Sequence, residues 1–225
     1  MKMLNSQTAD QIDQGLRSYM IGIYNRMCYG LAITAVVAYV ASVTPAIAEM
    51  YTTWMIWPII LSPLVMSMGM TFMMEKVQAS TLQIMFLVFS ALMGLSMGVF
   101  FLAYTSTSIF QAGAITAAMF GAMSLYGYTT KRDLTSIGSF LFMGLVGIII
   151  AGLFNLFFAS SMLAFVINVA AVLIFTGLTA YDTQKLKEMY DVADDKTVTM
   201  GAMMLYMDVI NIFIAILQLL GGRKD

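Results

Sequence analysis

The sequence predicts an all-α integral membrane protein of seven transmembrane helices. Of its 225 residues, 60% are hydrophobic and only 10% charged. Seven apolar runs each reach the roughly 20 residues that cross a bilayer at about 1.5 Å per residue. Lysine and arginine are confined to alternate connections between those runs, the asymmetry expected of a chain with a fixed orientation. A water-soluble domain would need a charged surface that this composition does not supply.

Residues 1–26 are polar and mixed in charge, with neither the apolar core nor the small-residue cleavage site of a secretory signal. They are expected to remain as a cytoplasmic arm, leaving 27–225 as one transmembrane domain. The first run, 27–48, then acts as a signal anchor. The second, 54–74, carries Pro58 and Pro63 and is expected to kink or unwind locally. Tyr51, Trp54 and Trp57 at its start suit an interfacial belt, as do Tyr126 and Tyr128 at the end of the fourth run, 109–128.

Small residues in the third run, 81–104, and the fifth, 134–157, let helices approach closely: Gly94 and Gly98, then Gly144, Gly147 and Ala151. The sixth run is 162–181 and the seventh 198–220. In the seventh, Met200, Met203, Met204 and Met207 form a stripe that thioether-bound copper could use, although flexible methionine ordinarily fills gaps between helices. The short connections leave no room for a second soluble domain.

With the N-terminus inside, the inner segments hold Lys2, Arg17, Arg26, Lys76, Lys131, Arg132, Lys185, Lys187 and Lys196, and the three short outer loops hold no basic residue. Arg223 and Lys224 depart from this pattern, because seven crossings put the C-terminus outside. A re-entrant last segment would bring them in, but the seventh run is long enough to span.

Several function classes fall away on composition. A net charge of -1 with no basic run offers nothing to nucleic acid. Cys28 is the single cysteine, so neither an intramolecular disulfide nor a thiolate cluster can form. With no histidine, a Ser-His-Asp triad, a histidine zinc site and axial histidine ligation of haem are excluded. No enzyme activity and no cofactor are expected, and any titration near neutral pH would fall mainly to a carboxylate.

An acidic residue inside the hydrocarbon region is costly and marks a functional candidate. Asp208 stands about ten residues into the seventh run, near the bilayer midplane at about 1.5 Å per residue, and must face the bundle. Asn211, three residues on, shares its face and is a candidate to hydrogen-bond the carboxyl or line an aqueous path. Asp182, at the expected inner end of the sixth run, is the second candidate, although its Thr, Gln and Lys neighbours also suit a solvated helix end.

Two carboxylates at one low-dielectric site share a proton or hold a cation, and their titration belongs to the pair. Asp182 and Asp208 would thus form a pH switch and a transient stop for Ca²⁺, a hard ion that takes oxygen ligands in flexible numbers. Intramembrane aspartyl proteases also use paired Asp, but their motifs find no convincing match here. Glu75, Asp133, Glu188, Asp191, Asp194 and Asp195 read as wetted loop charges, and Glu49, in the first outer loop, as an exposed acid that could line a vestibule.

The stretch Phe175-Thr176-Gly177-Leu178-Thr179-Ala180-Tyr181-Asp182-Thr183-Gln184 resembles the signature of the transmembrane Bax-inhibitor-motif family. Met207-Asp208, the lead from Tyr19 to Arg26 and the seven-run layout extend the likeness over essentially the whole chain. The resemblance implies a fold with the last helix central in the bundle, and a pH-sensitive passive calcium leak gated by Asp182 and Asp208. It also implies a basic latch on the second helix. This chain has no Arg there, only Lys76 beside Glu75, and a lysine lacks the bidentate fork of arginine.

Bacterial relatives imply a further reading, a regulator of a membrane-bound protease gripped through the N-terminal arm, and a carboxylate pair that can couple proton and cation movement also admits a proton/calcium exchanger. A bacterial inner membrane is the expected location. The death-suppressing role in the family name does not carry over from any residue here.

Overall fold

In the computed structural model residues 2–224 are described, with side chains from Gln14 onward. The arm expected at 1–26 lies partly outside them, in Met1 and the side chains of residues 2–13. The helices in chain order are α1 (Lys2–Val43), α2 (Pro45–Met50), α3 (Ile56–Met73), α4 (Ala79–Ala103), α5 (Ser106–Thr129), α6 (Thr135–Phe158), α7 (Ser161–Glu188) and α8 (Asp195–Leu220). A 3-10 turn, Tyr190–Val192, separates the last two. All but α2 contain a segment long and apolar enough to cross a membrane, that of α1 being Gln14–Val43.

Local chemistry sets the boundaries. The first span stops at Val43, short of the expected 48, because Thr44 turns extended and Pro45 opens α2. α3 runs unbroken through Pro63 rather than unwinding. Proline offers no N–H to the carbonyl of Ile59, and the hydroxyl of Ser62 donates to that oxygen instead, at 2.9 Å. The left-handed turn after α6 falls on Ala159, at φ 48°, where glycine is the usual occupant. Its N–H caps the Asn155 carbonyl, and the Asn155 side chain accepts from the N–H of Ser160 at 2.9 Å. Trp54 and Trp57 are exposed as a belt requires, whereas Tyr51 is buried and donates to the Leu95 carbonyl at 2.6 Å.

The chain divides into two compact units. The first comprises residues 1–98 and 186–203. In it α1 lies close along α4: a Cβ on Gly94 would meet the backbone oxygen of Thr34 at 2.7 Å, so only glycine permits the approach. The Thr34 hydroxyl donates to the Ser90 carbonyl across the same seam, at 2.8 Å. Farther along α1, Arg26 reaches the first turn of α8. It donates to the Asp195 carbonyl at 2.7 Å, to the Thr199 hydroxyl at 2.8 Å and to the Asp195 carboxylate at 3.0 Å.

The second unit comprises residues 99–185 and 204–225. Its core joins Tyr104, Ala112, Ile212, Ile216 and Leu217, with Phe175 and Phe213 packed against them. The C-terminal residues close one end of it. The Thr105 N–H donates to the Gly222 carbonyl at 3.1 Å, the Lys224 N–H to Ala103 at 2.9 Å, and the Lys224 ammonium to the Phe101 carbonyl at 2.8 Å. Arg223 and Lys224 are therefore tied to the α4–α5 connection, as a full crossing by α8 requires. α6 turns most of its surface outward, and Gly147 faces open space, so the small residues expected to pack there do so only in part, through Gly144 against Ile174. The apolar stretch of α8 is half buried, the largest share of any span, in keeping with a central last helix.

Candidate functional site

The site is built on the second unit, from α7 and α8. α7 continues to Glu188, beyond the expected end at 181, so Asp182 lies within a continuous helix and is half-buried instead of standing at a wetted helix end. The helix continues because its last two turns find partners. Thr183 shares a 3.0 Å hydrogen bond with Ser124 of α5, and the Gln184 carboxamide takes its place in the turn between α5 and α6.

The residues around Asp182 hold α7 against its neighbours. Gly127 of α5 lies under the backbone of Ala180, so close that a Cβ would strike the Ala180 carbonyl. The Tyr181 ring covers Gly138 of α6 and carries the Lys185 ammonium 5.8 Å from its centroid. Thr179 donates to the Phe175 carbonyl one turn back, at 2.8 Å. The Gln184 side chain accepts from the Leu134 N–H at 2.9 Å and donates to the Arg132 carbonyl at 2.8 Å. Much of the signature thus fixes the position of the helix that bears the acid. Thr176 differs: its hydroxyl is buried without a hydrogen-bond partner.

Asp208 is 4% exposed, flanked on α8 by the buried Tyr206 and Ile210. Its Oδ2 atom has no hydrogen-bond partner. The charged neighbour it feels is Asp182, while Asp182 in turn feels Lys185, three residues on. The two predicted carboxyls thus lie within electrostatic reach of each other. Asn211 spends its amide on its own helix, donating to the Met207 carbonyl at 2.8 Å, and remains half-buried.

Among the described residues no three Asp, Glu or Cys side chains converge on a point. Two carboxylates alone would fill only part of the roughly six to eight oxygen ligands that Ca²⁺ takes. A charge at the bilayer centre costs on the order of 3 kcal/mol by insertion scales, which a proton or a cation on the pair would relieve.

Two of the acids expected to be solvated loop charges are exposed as expected and also serve as helix-start devices. The Asp194 carboxylate accepts from the Thr197 N–H and hydroxyl, each at 2.8 Å, at the start of α8. Those two bonds hold its carboxyl below the usual carboxylate range. Asp133 accepts from the Thr135 N–H at 2.8 Å before α6 and is lowered by its bonds to Thr135. The Asp-x-x-Thr spacing was a readable sign of the first. No sequence signal announced that Arg26 would reach Asp195, 169 residues away.

A family model described as inhibitor of apoptosis-promoting Bax1 matches residues 16–225. The chain belongs to this family. Relatives within it are similar over nearly their full length. The inner membrane protein YbhL of Escherichia coli is 41% identical over 219 residues, 93% of this chain and 94% of that one. An uncharacterized protein of Rickettsia prowazekii is 43% identical over 219 residues, 95% of this chain and 93% of that one. One from Caulobacter vibrioides is 37% identical over 230 residues, 95% and 92% of the two chains. Membership joins with the seven apolar spans to make this a Bax1-inhibitor family integral membrane protein.

Proposed function

We propose that this protein is a pH-sensitive passive calcium leak, with no catalytic step, in which Asp182 and Asp208 form the gate and the transient cation stop. The observation that carries the reading is the buried Asp208 carboxyl, unpartnered at Oδ2, with Asp182 as its charged neighbour. Groups that interact this closely titrate together. A proton shared by the pair leaves it a single negative charge and keeps the site closed, and its loss leaves two negative charges that a hard cation can occupy. Gating is then a two-state shift biased by proton uptake.

The asymmetry of lysine and arginine supports an N-terminus in the cytoplasm, and the likeness to an E. coli inner membrane protein supports a bacterial inner membrane. Lipid, protons and Ca²⁺ are the partners this role requires.

The test is calcium flux into liposomes carrying the purified protein, across a pH series, with Asp182→Asn and Asp208→Asn beside the parent. A pH-dependent flux whose titration either substitution abolishes or displaces supports the gate. Proton counterflow in fixed ratio to calcium would convert the leak into an exchanger. No flux above empty liposomes at any pH overturns the reading, and capture of a membrane protease through the N-terminal arm becomes the next experiment.

A further inference from the structure

At the end of the second unit where α4 stops and α7 begins, a cavity of about 630 Å³ opens between Phe100, Ala164, Phe165, Asn168, Gln218 and Arg223, among others. Its size is that of a site for a small amphiphile. The lining is graded. Arg223 stands where α8 has ended, beside Tyr104, to which its backbone is bridged. Asn168 lies seven residues into α7, about 10 Å along that helix from its start at 1.5 Å per residue. Phe100, Ala164 and Phe165 form apolar wall between them.

The polar pair is half used. The Asn168 amide donates to Gln218 Oε1 at 3.1 Å, which leaves the amide N–H groups of the exposed Gln218 as donors beside the apolar wall. Such donors are expensive to leave unmatched in lipid. At the mouth, an arginine presents a planar fork suited to a phosphate diester.

We propose that this groove binds one anionic glycerophospholipid from the surrounding bilayer. Arg223 takes the phosphate, Gln218 donates to an ester carbonyl, and Phe100, Ala164 and Phe165 carry an acyl chain. Gln218 lies two residues, about 3 Å, back from the end of α8, within the roughly 5–7 Å headgroup layer that separates phosphate from hydrocarbon. A free phosphate would have no use for the apolar wall. The site also accounts for Arg223, which breaks the basic-residue pattern of the rest of the chain, as a headgroup ligand. Lys224 has another task, on the Phe101 carbonyl. The proposal does not depend on the calcium reading.

The experiment is native mass spectrometry of the full chain in neutral detergent, titrated with phosphatidylglycerol and, separately, with phosphatidylcholine. The parent should retain one phosphatidylglycerol in clear preference. Arg223→Gln should weaken that binding about tenfold, the scale of one lost charge-assisted contact, bringing it to the phosphatidylcholine level. Gln218→Leu should weaken both lipids, because both carry ester carbonyls. Ala164→Trp fills the groove and should abolish retention, while Lys224→Gln leaves it unchanged. Circular dichroism and a melting curve certify that each variant folds. Equal retention of the two lipids by the parent, or undiminished retention by folded Arg223→Gln and Ala164→Trp, overturns the proposal.

Discussion

Gln184 Oε1 accepts the backbone N–H of Leu134 at 2.9 Å, while its amide donates to the Arg132 carbonyl at 2.8 Å. One buried side chain thereby satisfies both ends of the turn between α5 and α6, two residues from Asp182. Gln184→Leu leaves a buried donor and acceptor unmatched and should cost about 2–3 kcal/mol. Gln184→Glu keeps the acceptor for Leu134 but loses the donor, and should cost less. Chemical denaturation in detergent reads both. Equal, negligible losses would mean that water replaces the amide without penalty.

The Asp208 carboxyl is the opposite case, buried with an unpartnered oxygen. Replacing an unsatisfied polar group by an apolar one of similar size is neutral or favourable. Asp208→Leu should therefore raise stability by about 1 kcal/mol, read as a higher melting temperature, while removing the proposed gate. A marked fall in melting temperature would show that the carboxyl stabilises the fold.

Arg26 joins α1 to the start of α8 through three bonds, of which only one uses the Asp195 carboxylate. Arg26→Gln should destabilise by about 1 kcal/mol, with the loss smaller in high salt. Asp195→Asn keeps the bonds to the Asp195 carbonyl and the Thr199 hydroxyl, and should cost clearly less. Comparable losses for the two variants would assign the contribution to the ion pair alone.

Asp194 is held below the usual carboxylate range by the N–H and hydroxyl of Thr197. A depressed group contributes stability that is full above its unfolded value, near 3.8, and is lost as pH falls through the lower folded value. Asp194→Ala should cost about 1 kcal/mol at neutral pH, and its gap from the parent should narrow as pH falls below about 4. Unfolding curves at three pH values check this, and a gap independent of pH would contradict the capping role.

Much of this was legible in the sequence. Span length depends on local apolar composition, so all seven spans could be placed, and Asp208 stood out because no neighbour in sequence offsets its charge. Boundaries were read less well where a side chain outside the run decided them. α7 outlasts its apolar stretch because Ser124 and the α5–α6 turn give Thr183 and Gln184 partners. Tyr51 had the composition of a belt residue, yet the Leu95 carbonyl holds it inside.

The sequence by itself determined the membrane class, the order of the spans and the family signature, since hydrophobic transfer and motif spacing are properties of contiguous residues. Only the tertiary structure decided what the signature does between its acids. It set Ala180 against Gly127, Tyr181 over Gly138 and Gln184 into a distant turn, and it brought Asp182 within electrostatic reach of Asp208. Those pairings depend on how closely helices approach, which small residues permit but do not specify. The partner of each surface is fixed only when every other surface of the unit has been buried.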